Sequence, residues 1–184
     1  MAKIDELVPN FFNVNITSSI HKRMHFKPVL VNGDLHTGNI LLEAGSGNLA
    51  ALLDWQSTHL GVGVEDLHRI AMSALTAEDR RAAMRMLIEE MYVSMVEHLD
   101  GIEPPYSLDT LLVLSDLVYP QCAFFLTATC LPIISVSHFF VCQHFKSAFR
   151  RLLTISKVIG ILEDVVKCED TNKKHMNILN LIIE

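Results

Sequence analysis

The sequence predicts an α+β, mainly helical domain, with a β-hairpin near its start and a helical bundle after it. Three observations carry that expectation. Up to residue 55 the apolar residues fall in short runs, Val29-Leu30-Val31, Ile40-Leu41-Leu42 and Leu49 to Leu53, separated by glycine-bearing loops. Beyond residue 64 they recur at spacings of three and four, the period of a helix with one buried face. Half of the 184 residues are apolar, which excludes a disordered chain and suffices for one core.

Residues 4–24 mix apolar positions with Pro9 and Asn-rich stretches, and predict a helix with an irregular lead-in. Lys27-Pro28 opens the first strand at 29–31. Asn39 to Leu42 predicts a second strand. Ala44-Gly45-Ser46-Gly47-Asn48 predicts a reversal, since glycines supply the positive φ that a tight turn needs. Leu49 to Trp55 returns as a third, mostly apolar strand. Val64 to Leu75 predicts a short helix after Gly61 and Gly63. Thr76 suits the N-cap of the next helix, with Asp79 as its capping-box partner. Met84, Leu87, Ile88, Met91, Tyr92, Met95 and Leu99 then hold the helical period until Gly101 stops it. Ser107 and Asp109 begin another helix, and a last one is expected over 146–169. The expected organisation is a single partial domain over 1–184: a chemistry-bearing segment at 28–75, a helical subdomain at 76–170 and a tail at 171–184.

Between Asp116 and Lys146 no Asp, Glu, Lys or Arg occurs, a length that meets the hydropathy criterion for a membrane span. Pro120, Gln121, Pro132, His138 and several hydroxyl side chains divide this segment, so a buried pair of core helices is expected rather than a span. The net charge of −6, from 15 basic and 21 acidic side chains, gives no basic footprint for nucleic acid. Four cysteines, at 122, 130, 142 and 168, show no C-x-x-C pairing and read as buried free thiols. With no long apolar leader at the N-terminus, the expected location is cytoplasmic.

Chemistry concentrates in Val29-Leu-Val-Asn-Gly-Asp34-Leu-His-Thr-Gly-Asn39, followed by Leu52-Leu53-Asp54-Trp55. Asp34-Leu35 with Asn39 reproduces the D-L-x-x-x-N spacing of a kinase-type catalytic loop. Phosphoryl transfer needs a carboxylate to take or orient the proton of the attacking hydroxyl, which suits Asp34. It also needs oxygen ligands that hold Mg²⁺ against the phosphates of ATP, which suits the Asn39 amide and the Asp54 carboxylate. The hairpin between them would return the chain so that both reach one ion.

The run Val-Leu-Val-x-Gly-Asp-Leu-x-x-x-Asn, then Leu49-Ala-Ala-Leu-Leu-Asp-Trp-Gln56, then Gly63-Val64-Glu65-Asp66-Leu67, resembles the choline-kinase-like (CHK, ecdysteroid-kinase-like, nematode-type) family of the aminoglycoside phosphotransferase and protein-kinase-like superfamily. The resemblance is specific over 28–75 and continues by helix pattern to about residue 168. It implies a kinase-like C-lobe with Asp34 as catalytic aspartate, and Asn39 and Asp54 as metal ligands that bind the ATP-bound Mg²⁺. It also implies that Asp66 braces the catalytic loop through backbone N–H groups. Two departures stand out. The family carries His where this chain has Asn32, so Asn32 would keep part of that supporting role. Only 33 residues precede Asp34, with no glycine cluster and no strand lysine among them, so the nucleotide-clamping N-lobe is expected to be missing.

Other signals carry less. His21 and His25 stand at i, i+4, but Lys22 occupies the place where a metalloprotease needs Glu. His138, Cys142 and His144 lack a fourth ligand and a standard zinc spacing. Gly61-x-Gly63 lacks the third glycine of a dinucleotide fingerprint. The expected function is therefore an ATP- and Mg²⁺-dependent phosphotransferase-like domain acting on a hydroxyl of a small molecule, truncated and of negligible activity as this chain. The alternatives are a non-catalytic binding remnant and a membrane-associated helical protein.

Overall fold

The structure, a computed structural model, describes residues 15–140 and 145–180, and their side chains over 19–128, 153–168 and 171–172. The order is α1 (Asn15–Arg23), β1 (Val29–Val31), a 3₁₀ turn (Thr37–Asn39), β2 (Ile40–Leu42), β3 (Leu49–Leu52), β4 (His59–Gly61), α2 (Val64–Ala74), α3 (Ala77–His98), α4 (Leu108–Phe140) and α5 (Phe145–Asn180). The architecture is α+β and mainly helical, as the sequence predicts.

The strands form two separate antiparallel pairs rather than one hairpin. β1 pairs with β4, placing Leu30 opposite Leu60, and β2 pairs with β3, placing Ile40 opposite Leu52. Two expectations are corrected here. Asn39 ends a 3₁₀ turn instead of opening a strand, and the third strand stops at Leu52 because Asp54 takes a left-handed backbone (φ 53°) that no strand accommodates. The β4 strand was not anticipated, since three residues are too few to show an alternation.

α2 buries Val64, Glu65, His68, Ala71 and Met72 along one stripe. α3 is capped as expected: Asp79 N donates to the Thr76 hydroxyl (3.1 Å) and that hydroxyl donates to the Asp79 carboxylate (2.7 Å). Ser107 accepts from the Thr110 N–H at the start of α4. The uncharged segment is corrected from a pair of helices to one helix that runs through Pro120 and Pro132. Proline removes a single ladder hydrogen bond, and tertiary packing overrides that loss. On both sides of Pro120 the helix is anchored by buried Leu114, Val118, Cys122 and Ala123. Over Leu108–Ala128 this helix is long and apolar enough to cross a membrane, and 50% of its most apolar stretch is buried inside the molecule. The expected tail from 171 is also corrected, because α5 continues as helix to Asn180.

α4 is the centre of the bundle, packed against α2, α3 and α5. The core joins Val62, Met72, Ile88, Leu111, Leu114 and Ile161, with Ile20 and Phe26 closing it on the N-terminal side. α3 and α5 approach so closely at Gly160 that an added Cβ would collide with the Ala77 methyl. A charge clamp holds that crossing. The buried Arg80 donates from Nη2 to Asp164 Oδ2 (2.6 Å), and Arg81 donates to Asp164 Oδ1 (2.5 Å) and Glu163 (2.8 Å).

Candidate functional site

The polar loop between β1 and β2 is built on the first turn of α2. Asp66 accepts from the backbone N–H of Asn32 (2.7 Å) and of Gly33 (2.9 Å), one oxygen to each. A carboxylate taking two amides is a charge-assisted fork, and its place in the first helical turn adds the favourable end of the helix dipole. Gly33 turns the chain with φ +82°, and an added Cβ would run into the Ser57 carbonyl oxygen. Only glycine meets both conditions.

Asn32 is 2% exposed and acts as a bracket. Its Nδ2 donates to the carbonyls of Leu53 (3.3 Å) and Asp54 (3.2 Å), while its Oδ1 accepts from Asp34 N (3.1 Å). One buried amide therefore ties the start of the loop to the chain leaving β3. Asn32 reaches the Asp54 main chain, not its carboxylate.

Asn39 closes the loop from the other side. Its Nδ2 donates to the Asp34 carbonyl (2.9 Å) and its own carbonyl accepts from Leu53 N (2.8 Å). With Nδ2 committed, the amide presents Oδ1 as its remaining acceptor. Asp34 and Asn39 are half-buried and Asp54 is exposed, its carboxylate taking a long hydrogen bond from Gln56 (3.4 Å). Asp54 and its neighbours are shaped by a tight turn in which the Thr58 hydroxyl and N–H both donate to the Trp55 carbonyl. The left-handed backbone at Asp54 is a strained conformation for a residue with a side chain, and it turns the chain away from the β3 direction.

The five sequence-selected residues, Asn32, Asp34, Asn39, Asp54 and Asp66, thus belong to one hydrogen-bonded network. Among the described residues, no three His, Cys, Asp or Glu side chains are grouped to hold a metal ion. The oxygen set offered near the loop is an amide with two carboxylates. That set suits a hard cation which keeps waters and phosphate oxygens in its shell, and does not suit a closed structural site.

Residues outside the motif support the loop from below. Thr37 N donates to the Ser73 hydroxyl (3.3 Å), and Lys157 of α5 donates to the carbonyls of Ser73 (2.7 Å) and Ala74 (3.4 Å) at the end of α2. A cation there satisfies carbonyls that the helix leaves unpaired. Sequence reasoning missed Lys157, whose partner lies 84 residues away. It also missed Arg80, although the signal was present: Arg80, Met84 and Ile88 share one helix stripe, so Arg80 sits on the apolar face of α3.

Two of the weaker motifs are not assembled by the fold. His25 lies beyond the end of α1 with φ 53°, so it shares no helix face with His21. Gly61 ends β4 and Gly63 precedes α2, in an antiparallel setting rather than a strand–helix–strand unit. The side chains of His138, Cys142 and His144 lie outside the described residues.

No curated protein and no solved structure matches the chain. A family profile does, over residues 1–173, and its description reads uncharacterized oxidoreductase dhs-27. The match spans nearly the whole sequence, including the loop network, the first four described helices and most of the fifth, and the chain therefore belongs to that family, DUF1679.

Proposed function

We propose that this chain carries the catalytic loop of a kinase-like, ATP- and Mg²⁺-dependent phosphotransferase that acts on a hydroxyl of a small molecule, within the CHK-like group. The observation that supports the reading is the network joining Asp34, Asn39 and the 53–54 segment through Asn32, with Asp66 beneath it. In this reading Asp34 accepts or orients the proton of the attacking hydroxyl. Asn39 Oδ1 and the Asp54 carboxylate would hold Mg²⁺, which when bound neutralises charge on the phosphates being transferred. Asn32 and Asp66 are positioning residues: they fix the backbone from which Asp34 and Asp54 project.

The family description names an oxidoreductase. A doubly wound nicotinamide site is built on parallel strands joined by helices, whereas the described strands pair only antiparallel. A second reading, a non-catalytic remnant that binds a partner, rests on Asn32 standing where the resembled family has His.

Calorimetry with ATP and Mg²⁺, on this chain and on the same chain extended upstream, separates these readings. The expected result is saturable binding in at least the extended chain, weakened by Asp54→Asn. Turnover of a hydroxylated acceptor by the extended chain should vanish in Asp34→Asn while nucleotide binding survives. No binding in either form would overturn the kinase reading and leave the remnant.

A further inference from the structure

α2 presents one stripe to the polar loop. Asp66 in its first turn holds Asn32 and Gly33, and Ser73 near its end accepts from Thr37 N. Residues 33–37 therefore cross α2 between those two points, which lie about 10 Å apart along the axis. Arg69 stands between them on the same stripe, three residues after Asp66 and four before Ser73.

The packing of α4 fixes where the Arg69 side chain ends. α4 runs antiparallel to α2, since Cys122 Sγ meets the Glu65 carbonyl while the earlier Ser115 meets His68, a turn further along α2. Phe125, a turn beyond Cys122, thus lies level with the first turn of α2. The Arg69 guanidinium sits over the Phe125 ring, 5.1 Å from its centroid. Its side chain consequently leans back toward the N-terminus of α2, to the end where Asp66 carries Asn32 and Gly33 and where Asp34 follows.

Among the described residues nothing neutralises this cation. The three arginines of α3 each hold a carboxylate, whereas Arg69 forms no ion pair. Both oxygens of Asp66 are taken by backbone amides, and those of Glu65 by Val62 N and His59. Arg69 Nε is enclosed without a partner; Nη1 and Nη2 are neither bonded nor enclosed, so they open to solvent beside Phe125, itself 39% exposed. A guanidinium stacked on a ring keeps its in-plane N–H fork free, the geometry that takes a carboxylate through two parallel hydrogen bonds. A lone cation close to the segment bearing Asp34 matches one negative charge better than the near-double charge of a phosphate.

We propose that Arg69, braced by Phe125, is the specificity-determining residue of the acceptor site: its Nη1 and Nη2 take the carboxylate of a hydroxy acid whose hydroxyl reaches Asp34. The role of that hydroxyl rests on the phosphotransferase reading, whereas the carboxylate seat stands without it.

Calorimetric titration of the whole chain with 6-hydroxyhexanoate tests this, with 6-hydroxyhexanamide as the neutral probe of the same shape. The acid should bind saturably, at least about tenfold more tightly than the amide. Arg69→Met keeps the apolar stem and removes the charge. It should erase the preference for the acid while the amide binds as it does to the parent, a pattern that a merely loosened fold does not give. Phe125→Leu retains Arg69 but removes the ring that fixes it, and should weaken the acid several-fold. Absence of saturable acid binding, equal affinity for acid and amide, or a preference undiminished in either variant would each overturn the proposal. ATP binding without any acid preference would overturn it and spare the phosphotransferase reading. An acid preference that depends on Arg69, in a chain that binds no ATP in either form, would support the seat and overturn that reading alone.

Discussion

At the scale of single residues, the buried polar groups say most. His68 is fully enclosed, and burial pushes its pKa down to about 4 from the ordinary 6.5; the Ser115 carbonyl opposes that shift and the Arg80 charge adds to it. Its ring stands edge-on to Tyr119, whose own pKa is raised, chiefly by burial. The folded state therefore binds fewer protons than the unfolded chain between those two values, so this contribution to stability is complete above pH 6.5 and is lost as pH falls toward 4. The loss should reach roughly 3 kcal/mol. Urea unfolding midpoints measured between pH 7 and 4.5 should show the decline, and His68→Gln should flatten it. A parent profile that is flat over this window would contradict the assignment.

At the scale of elements, the cap of α3 is the clearest local device. Thr76→Ala removes the acceptor for Asp79 N and the hydroxyl that orients the Asp79 carboxylate, and should cost about 1 kcal/mol in chemical denaturation. This cap was legible, because a threonine three residues ahead of an acid, at the head of a periodic run, is a local signal. The loop network was legible for a similar reason: Asp34, Asn39 and Asp54 sit at fixed short spacings around a glycine-marked reversal. The rest was not local. β4 is three residues long and finds β1 across 30 positions of chain, Leu30 to Leu60. The continuity of α4 through Pro120 depends on burial against three other helices, which no window around the proline contains. The end of α5 was misplaced by eleven residues, from 169 to 180, because polar residues after Cys168 continue the helix without an apolar stripe to announce it.

At the scale of the molecule, apolar side chains gather on the outside of the two strand pairs. Leu30 and Leu60 oppose each other across β1 and β4 at 63% and 61% exposure, and Leu41, Leu42, Leu49, Leu53 and Trp55 are exposed on or beside the other pair. Surfaces of this kind drive association. The chain should show concentration-dependent self-association in sedimentation velocity, and the double variant Leu30→Lys with Leu60→Glu should shift it toward monomer without loss of helical circular dichroism. A parent that stays monomeric across the range would refute this. A different long-range dependence follows from Lys157. Through the end of α2, that amine and the Ser73 hydroxyl form a relay from the last helix to Thr37, the residue that opens the turn carrying Asn39. Replacing Lys157 with Met would thus unfasten a segment some 120 positions earlier, and faster amide exchange at Thr37 would register the loss while the helical bundle stays folded.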